Sequence, residues 1–298
     1  MQQLYALDRS PKQFDQDIKN ALYKSFQDTY QVYLSILELP VVMADALQDA
    51  IDVEQSKYSP NSEKIRKNSW MNKSHAADML FNKAHGFMEK SPINWRQDEL
   101  AMEQLLNEIK EQEFVSDYIV FDEPTMSQQV YFLEQLFNFL FDQCEQFFDW
   151  IEEMYGTWSD DEPTVKREII KVIKSLDTGN LVISKPITKA QDEVLFSIQL
   201  FQLLVEHDQE LLDMVANKSS NWDISRISII DLIIMKMALT EFMYFENIPV
   251  KVSINEYLEL AKSHSSPQSS KFINGILDPV KVKLISEGKI NKSGRGLQ

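Results

Sequence analysis

The chain has 298 residues, 44% of them apolar, enough to bury one large core or two smaller ones. Its net charge of −16 excludes wholesale binding of a polyanion, because counterion release needs lysines and arginines over phosphates. Seven glycines argue against glycine-rich phosphate loops and many-turned β folds, and the one cysteine excludes an internal disulfide.

Residues 12–57 read as two helices separated near Pro40, with Ile18, Leu22, Phe26, Tyr30 and Tyr33 recurring every three or four positions. Residues 58–68 form a polar link into a helix near 69–90, which Pro92 ends. An acidic amphipathic helix follows over 97–113, then a connection over Asp117–Thr125. Residues 126–155 read as one long helix whose phenylalanines, from Phe132 to Phe148, lie around its whole circumference and so require burial on more than one side. Residues 177–187 mark a boundary, followed by a helix over 189–216 and another over 225–245 that faces inward through Ile227, Ile230, Ile234, Met237 and Ala238. From Gly288 the tail is rich in Gly, Lys and Ser and is expected to fray.

One stretch echoes another. Shifted by 64 positions, Val130, Phe132, Leu136, Phe137, Leu140, Asp149 and Trp158 fall on Val194, Phe196, Leu200, Phe201, Leu204, Asp213 and Trp222. Two amphipathic helices can align by chance. The alternative is a duplicated helical hairpin with its copies packed together.

No phosphate-binding glycine loop, nucleophile elbow or H-E-x-x-H pattern is present. The four histidines, His75, His85, His207 and His264, lack ligand-like spacing, so neither metal nor cofactor is expected. Asp98–Glu162 carries 18 acids and one base, which read as solvated surface rather than an acid–base pair. Lys251 onward carries eight bases and four acids, a locally basic end. Cys144, in an aromatic run, reads as a packing residue. No apolar run is long enough for a bilayer and no secretory signal opens the chain, so a cytoplasmic location is expected.

The stretch Asn247–Leu277 organises the rest. Pro249 suits the first turn of a helix carrying Val252, Glu256, Leu260 and Ala261 at helical spacing. A Ser/His run makes a polar elbow, with Ser266 as a cap before Pro267. Phe272, Ile273, Ile276 and Leu277 then form an apolar stripe on a second helix. Asn274-Gly275 inside that helix is locally unfavourable, and close approach of a neighbouring helix would explain it. Asn255 and Glu256 are expected to bond backbone or side chains at the elbow.

The wording Ile-Pro-x-Lys-Val-x-Ile-Asn-Glu-x-x-x-Leu-Ala-Lys, then Ser-x-Lys-Phe-x-Asn-Gly-x-Leu, resembles the C-terminal signature of the NusB family of bacterial transcription antitermination factors. Asn221-Trp222, Arg226, Ile230-Asp231 and Ala238-Leu239-x-Glu241 resemble the segment preceding it, and Gln2-Gln3-Leu4-Tyr5 looks like the end of the family's opening helix. The arginines that precede that helix in the family are absent, so Met1 is expected to be an internal methionine of a longer chain.

The resemblance implies an all-α fold: a NusB-like bundle over 186–290, completed by a first helix over 1–10, with an acidic helical insertion over 11–185 and a flexible tail over 291–298. It implies a non-catalytic function, binding of boxA-type single-stranded RNA together with ribosomal protein NusE, and through them an indirect link to the RNA polymerase elongation complex during ribosomal RNA synthesis. Members occur as monomers and dimers, so a homodimer fits the reading. The RNA-contacting positions it implies are Tyr5, Gln268, Ser269, Lys271 and Phe272, although Gln268 replaces the acidic residue often found there; Asp231 lies near the NusE-facing surface. Two rivals differ in kind. One is an RNA methyltransferase, which needs a cofactor domain with glycine-rich loops. The other is an acidic interaction scaffold without RNA binding, whose partners would be insensitive to salt.

Overall fold

The computed structural model describes residues 4–5, 16–71, 74–89, 91–184, 191–218, 226–266 and 268–293. These contain thirteen helices and no strand. The chain divides into two compact units, one of residues 25–187 and one joining residues 1–24 to 188–298. The division falls at 24/25, further along the chain than the expected end of the first helix at residue 10.

In the unit of residues 25–187, helix α1 (Gln16–Gln55) contributes its larger part. It runs through Pro40 without stopping, contrary to the two helices expected. Proline removes one backbone hydrogen bond and costs about 3 kcal/mol in a helix interior. Here Ile36, Leu37, Leu39 and Met43, on the turns either side, are fully buried. Each such side chain returns about 1.5–3 kcal/mol, so burial outweighs the proline.

Helix α2 (Ser62–Asn68) starts within the stretch expected to be a link, because the Asn61 side chain accepts hydrogen bonds from the Glu63 and Lys64 amides. Helix α3 (His75–His85) is capped by Ser74, and α4 (Glu99–Lys110) by Asp98. On α4 the stripe Met102, Leu105, Leu106 and Ile109 faces inward. A short α5 (Glu113–Tyr118) follows, taking the start of the expected connection.

The long phenylalanine helix is in fact two. Helix α6 (Met126–Asp142) begins with a Thr125/Gln128 capping box, and α7 (Glu145–Met154) restarts after a break at Gln143–Cys144. The break gives the circumferential aromatics two inward faces, with Phe132 and Phe137 on one helix and Phe147 and Trp150 on the other. Helix α8 (Trp158–Asp177) buries Trp158 completely.

The other unit holds α9 (Asp192–Glu206), α10 (Asp208–Lys218), α11 (Ile229–Tyr244), α12 (Val250–His264) and α13 (Ser269–Ser286). Leu4, Ile18 and Leu22 join its core. Helix α11 is its axis, with every residue from Ile233 to Phe242 buried rather than the single face expected.

The 64-residue echo has a structural counterpart. Helices α6 and α7 pack against α8, as α9 and α10 pack against α11. Each first pair is broken at the same register, Gln143–Cys144 and His207. Leu211 and Val215, both fully buried, stand 64 positions after the buried Phe147 and Ile151. The echo therefore extends beyond the residues that first showed it, although Trp222 lies outside the described residues.

The expected fraying tail is pinned through residue 293. The Lys292 Nζ donates to the Glu241 and Phe245 carbonyls at 2.9 and 2.8 Å, closing the C-terminus of α11, and the Ser293 amide donates to the Glu246 carbonyl at 3.0 Å.

Candidate RNA-binding elbow

An axial helix buried all round must bury polar residues too, and each one needs a partner. Those of α11 tie it to its neighbours. The Lys236 Nζ, 6% exposed at the side chain, meets the Asp208 carboxylate at 2.6 Å at the start of α10. The Glu241 carboxylate accepts from the Ser253 hydroxyl at 2.5 Å and the Tyr257 hydroxyl at 2.8 Å, fixing α12. Burial, and then the neighbouring Glu241 carboxylate, push the Tyr257 hydroxyl well above the usual phenol range, so it stays a donor.

Asp231, in the first turn of α11, performs the same task for the elbow between α12 and α13. Its Oδ1 accepts from the Ser265 hydroxyl at 2.6 Å, and its Oδ2 from the Ser269 hydroxyl at 3.0 Å. Ser269 also lies 2.8 Å from the Ser266 hydroxyl and 3.0 Å from that of Ser265. The Asp231 amide is itself bound by the Ser228 cap, and a helix N-terminus favours a carboxylate. Asp231 is 7% exposed and Ser269 4%. These two predicted site residues are thus brought together inside the elbow.

The other predicted positions stand outside it. Gln268 is exposed and sits just before α13. Lys271 is exposed on the first turn and makes no ion pair among the described residues, whereas Lys262, Lys281, Lys283 and Lys289 each do. Phe272 is half-buried, packed against the core that fully buries Ile273 and Leu277. Tyr5 is 39% exposed, next to the buried Leu4.

Several local expectations change. Helix α13 begins at Ser269, not at Pro267, which lies outside the described residues; Ser266 serves the hydroxyl cluster instead. The inward face of α12 is Ser253, Ile254, Tyr257 and Ala261, while Val252 is exposed. Asn255 and Glu256 are exposed and make no side-chain hydrogen bond among the described residues; the elbow is tied by serines instead. A Cβ at Gly275 would meet nothing within 4 Å, so no neighbouring helix accounts for that glycine. Lys251, exposed and without an ion pair among the described residues, is a further cation at the start of α12.

Residues 179–281 match the family model described as NusB family. The transcription antitermination protein NusB of Chloroherpeton thalassium is 37% identical over 132 residues, 44% of this chain and 60% of that protein. Its namesake from Salinibacter ruber is 39% identical over 102 residues, 34% of this chain and 64% of that protein. The one from Bacillus subtilis is 33% identical over 121 residues, 40% of this chain and 92% of that protein. This chain belongs to the NusB family. It spans 60–64% of the length of the first two NusB relatives. No solved structure matches it. The family match overlaps the unit that contains α11, the elbow and α13, and leaves most of residues 25–187 outside it.

Among the described residues no helix is long and apolar enough to cross a membrane, and no cluster of three or more His, Cys, Asp or Glu could hold a metal ion.

Proposed function

We propose that the chain acts without catalysis in transcription antitermination, taking boxA-type single-stranded RNA at the elbow in company with ribosomal protein NusE. The observation that carries this reading is the braced elbow: a buried carboxylate and three serine hydroxyls fix the loop from beneath while Lys271 projects unpaired beside Phe272. An unpaired lysine neutralises a phosphate, and a half-buried ring held by its core offers a face for an unstacked base. The Gln268 amide, with donors and an acceptor, suits a base edge, and Tyr5 supplies a further ring.

Ser269 and Asp231 enter the proposal as the frame of the site. Asp231 contributes to the NusE-facing side by setting the shape of the elbow, since its carboxylate is occupied by Ser265 and Ser269. The partners link the chain to the elongating polymerase only indirectly.

The test is fluorescence anisotropy with a labelled boxA-type RNA and a scrambled one, with and without the cognate NusE. Tighter binding of boxA with NusE present, weakening steeply with salt, is expected. Equal binding of both RNAs at low salt with NusE present overturns it, and so does no binding of either, which leaves the acidic scaffold as the reading.

A further inference from the structure

Within residues 25–187, a groove of about 840 Å³ lies between the second half of α1, helix α2 and helix α4. Its α1 wall presents Val42, Ala46, Ala50 and Val53, an apolar stripe at helical spacing with two alanines one turn apart. On the α4 side the inward-facing Met102 and Leu106 form only its floor, and the exposed wall is Glu99 and Glu103. The small side chains of the α1 wall let a third helix approach closely, as in helix-in-groove recognition.

The charges along the groove are ordered. Asp45 and Asp49 on α1 precede Lys57, just beyond its end; on α4, Glu99 and Glu103 precede Lys110. Arg96 bridges to Asp45 at 2.5 Å at one mouth. At the other, the buried Glu54 carboxylate holds Lys57 at 2.6 Å and Lys64 at 3.5 Å. Hydrogen bonding to Lys57 first, then to the Asn61 amide, keeps the Glu54 carboxyl below its ordinary range. One end therefore offers Asp49, Glu99 and Glu103, none in an ion pair among the described residues, and the other offers Lys57 and Lys64 sharing the Glu54 carboxylate and Lys110, which donates to the Asn107 side chain. An RNA would face uncompensated acids at the first end, which argues against it.

We infer that this groove is a docking site for an amphipathic helix of a partner protein, about three to four turns long, with a small apolar face. Its lysines or arginines lie against Asp49, Glu99 and Glu103, and its carboxylates against Lys57, Lys64 and Lys110. The length follows from the lining, which runs from Val42 to Glu54 on α1, with Lys57 just beyond it, and from Glu99 to Lys110 on α4, roughly 16–18 Å at 1.5 Å per residue. The inference is independent of RNA binding at the elbow.

The experiment uses the full chain and fluorescein-labelled fourteen-residue Ala/Leu helical peptides. Two are bipolar, with lysines at one end and glutamates at the other in either order; two controls carry only lysines or only glutamates. A bipolar peptide is expected to bind at least tenfold more tightly than both controls. Glu103→Lys and Asp49→Lys should weaken it tenfold or more, and Ala50→Trp should abolish binding with the far-UV spectrum and melting temperature unchanged. Absence of binding, equal binding of the controls, or indifference to Ala50→Trp overturns the proposal. Concentration-dependent dimerisation lost in Ala50→Trp also overturns it, because a second copy would then fill the groove.

Discussion

Asp231 and Ser269 stand 38 residues apart, yet the Ser269 hydroxyl donates to the Asp231 carboxylate at 3.0 Å with both side chains buried. Removing the acceptor deprives the buried Ser269 hydroxyl and the half-buried Ser265 hydroxyl of their carboxylate, and a buried group left unsatisfied costs about 1–3 kcal/mol. Asp231→Ala is therefore expected to lower unfolding stability by about 2 kcal/mol in urea titration and to weaken boxA binding further than that loss explains. Asp231→Asn, which keeps one acceptor oxygen, should restore part of both. Unchanged RNA affinity in the alanine variant would separate the elbow's frame from its function.

The Lys236–Asp208 pair tests how α11 is held. Breaking a buried pair by removing one partner costs about 3–5 kcal/mol. Asp208→Ala is expected near that range, because it leaves a lysine side chain 6% exposed with its Nζ partner gone. Lys236→Met, which removes the buried charge and keeps the volume, should cost less. Equal losses would show that volume rather than charge governs the site.

At the elbow's surface, Lys271→Gln should leave stability unchanged within about 0.5 kcal/mol and lower the salt slope of RNA binding by about one. Phe272→Ala should weaken binding by about 1–3 kcal/mol across the salt range, because stacking does not depend on counterions. A change in slope with Phe272→Ala instead would mean the ring only positions Lys271.

Gly275 lies inside α13 with open space at its Cβ position. Gly275→Ala is expected to raise stability by about 0.5–1 kcal/mol. If RNA or NusE affinity falls as stability rises, the glycine admits the close approach of a ligand rather than of this chain's own helices.

Glu162 gives a pH test. Burial, chiefly, raises its folded-state pKa above 4.5, with Lys166 opposing and Asp142 adding to the rise. A raised folded pKa means the folded state holds the proton longer than the unfolded chain, so this contribution is present at low pH and lost as pH rises through the folded value. Glu162→Gln should therefore gain stability relative to the parent on going from pH 4 to pH 7. A constant difference over that interval would show that the side chain titrates alike in both states.

What the sequence disclosed depended on distance along the chain. The helical class and the elbow between α12 and α13 rest on local patterns within a few turns, and both were readable. The hydroxyl cluster was not, since Asp231 lies 34 and 38 residues from the serines it binds and nothing in a helical period encodes that meeting. Pro40 misled for a related reason: the rule about proline is local, whereas the burial that overrides it comes from distant helices. The phenylalanines of residues 126–155 pointed correctly to burial on several sides. They could not show that the chain achieves this by breaking at Gln143–Cys144.

The unit formed by residues 1–24 and 188–298 is discontinuous in sequence, and synthesis is directional. Residues 25–187 are all available to fold before α11 has been made. The first segment, with Leu4, Ile18 and Leu22, has to wait for the whole intervening stretch before its core exists, roughly 10–30 s at ribosomal elongation rates. The Lys292 that closes α11 is made later still, after all five helices of that unit. An elbow whose bracing residue Asp231 and serines Ser265 and Ser269 all follow the intervening unit stays unformed on the growing chain until α13 has been made.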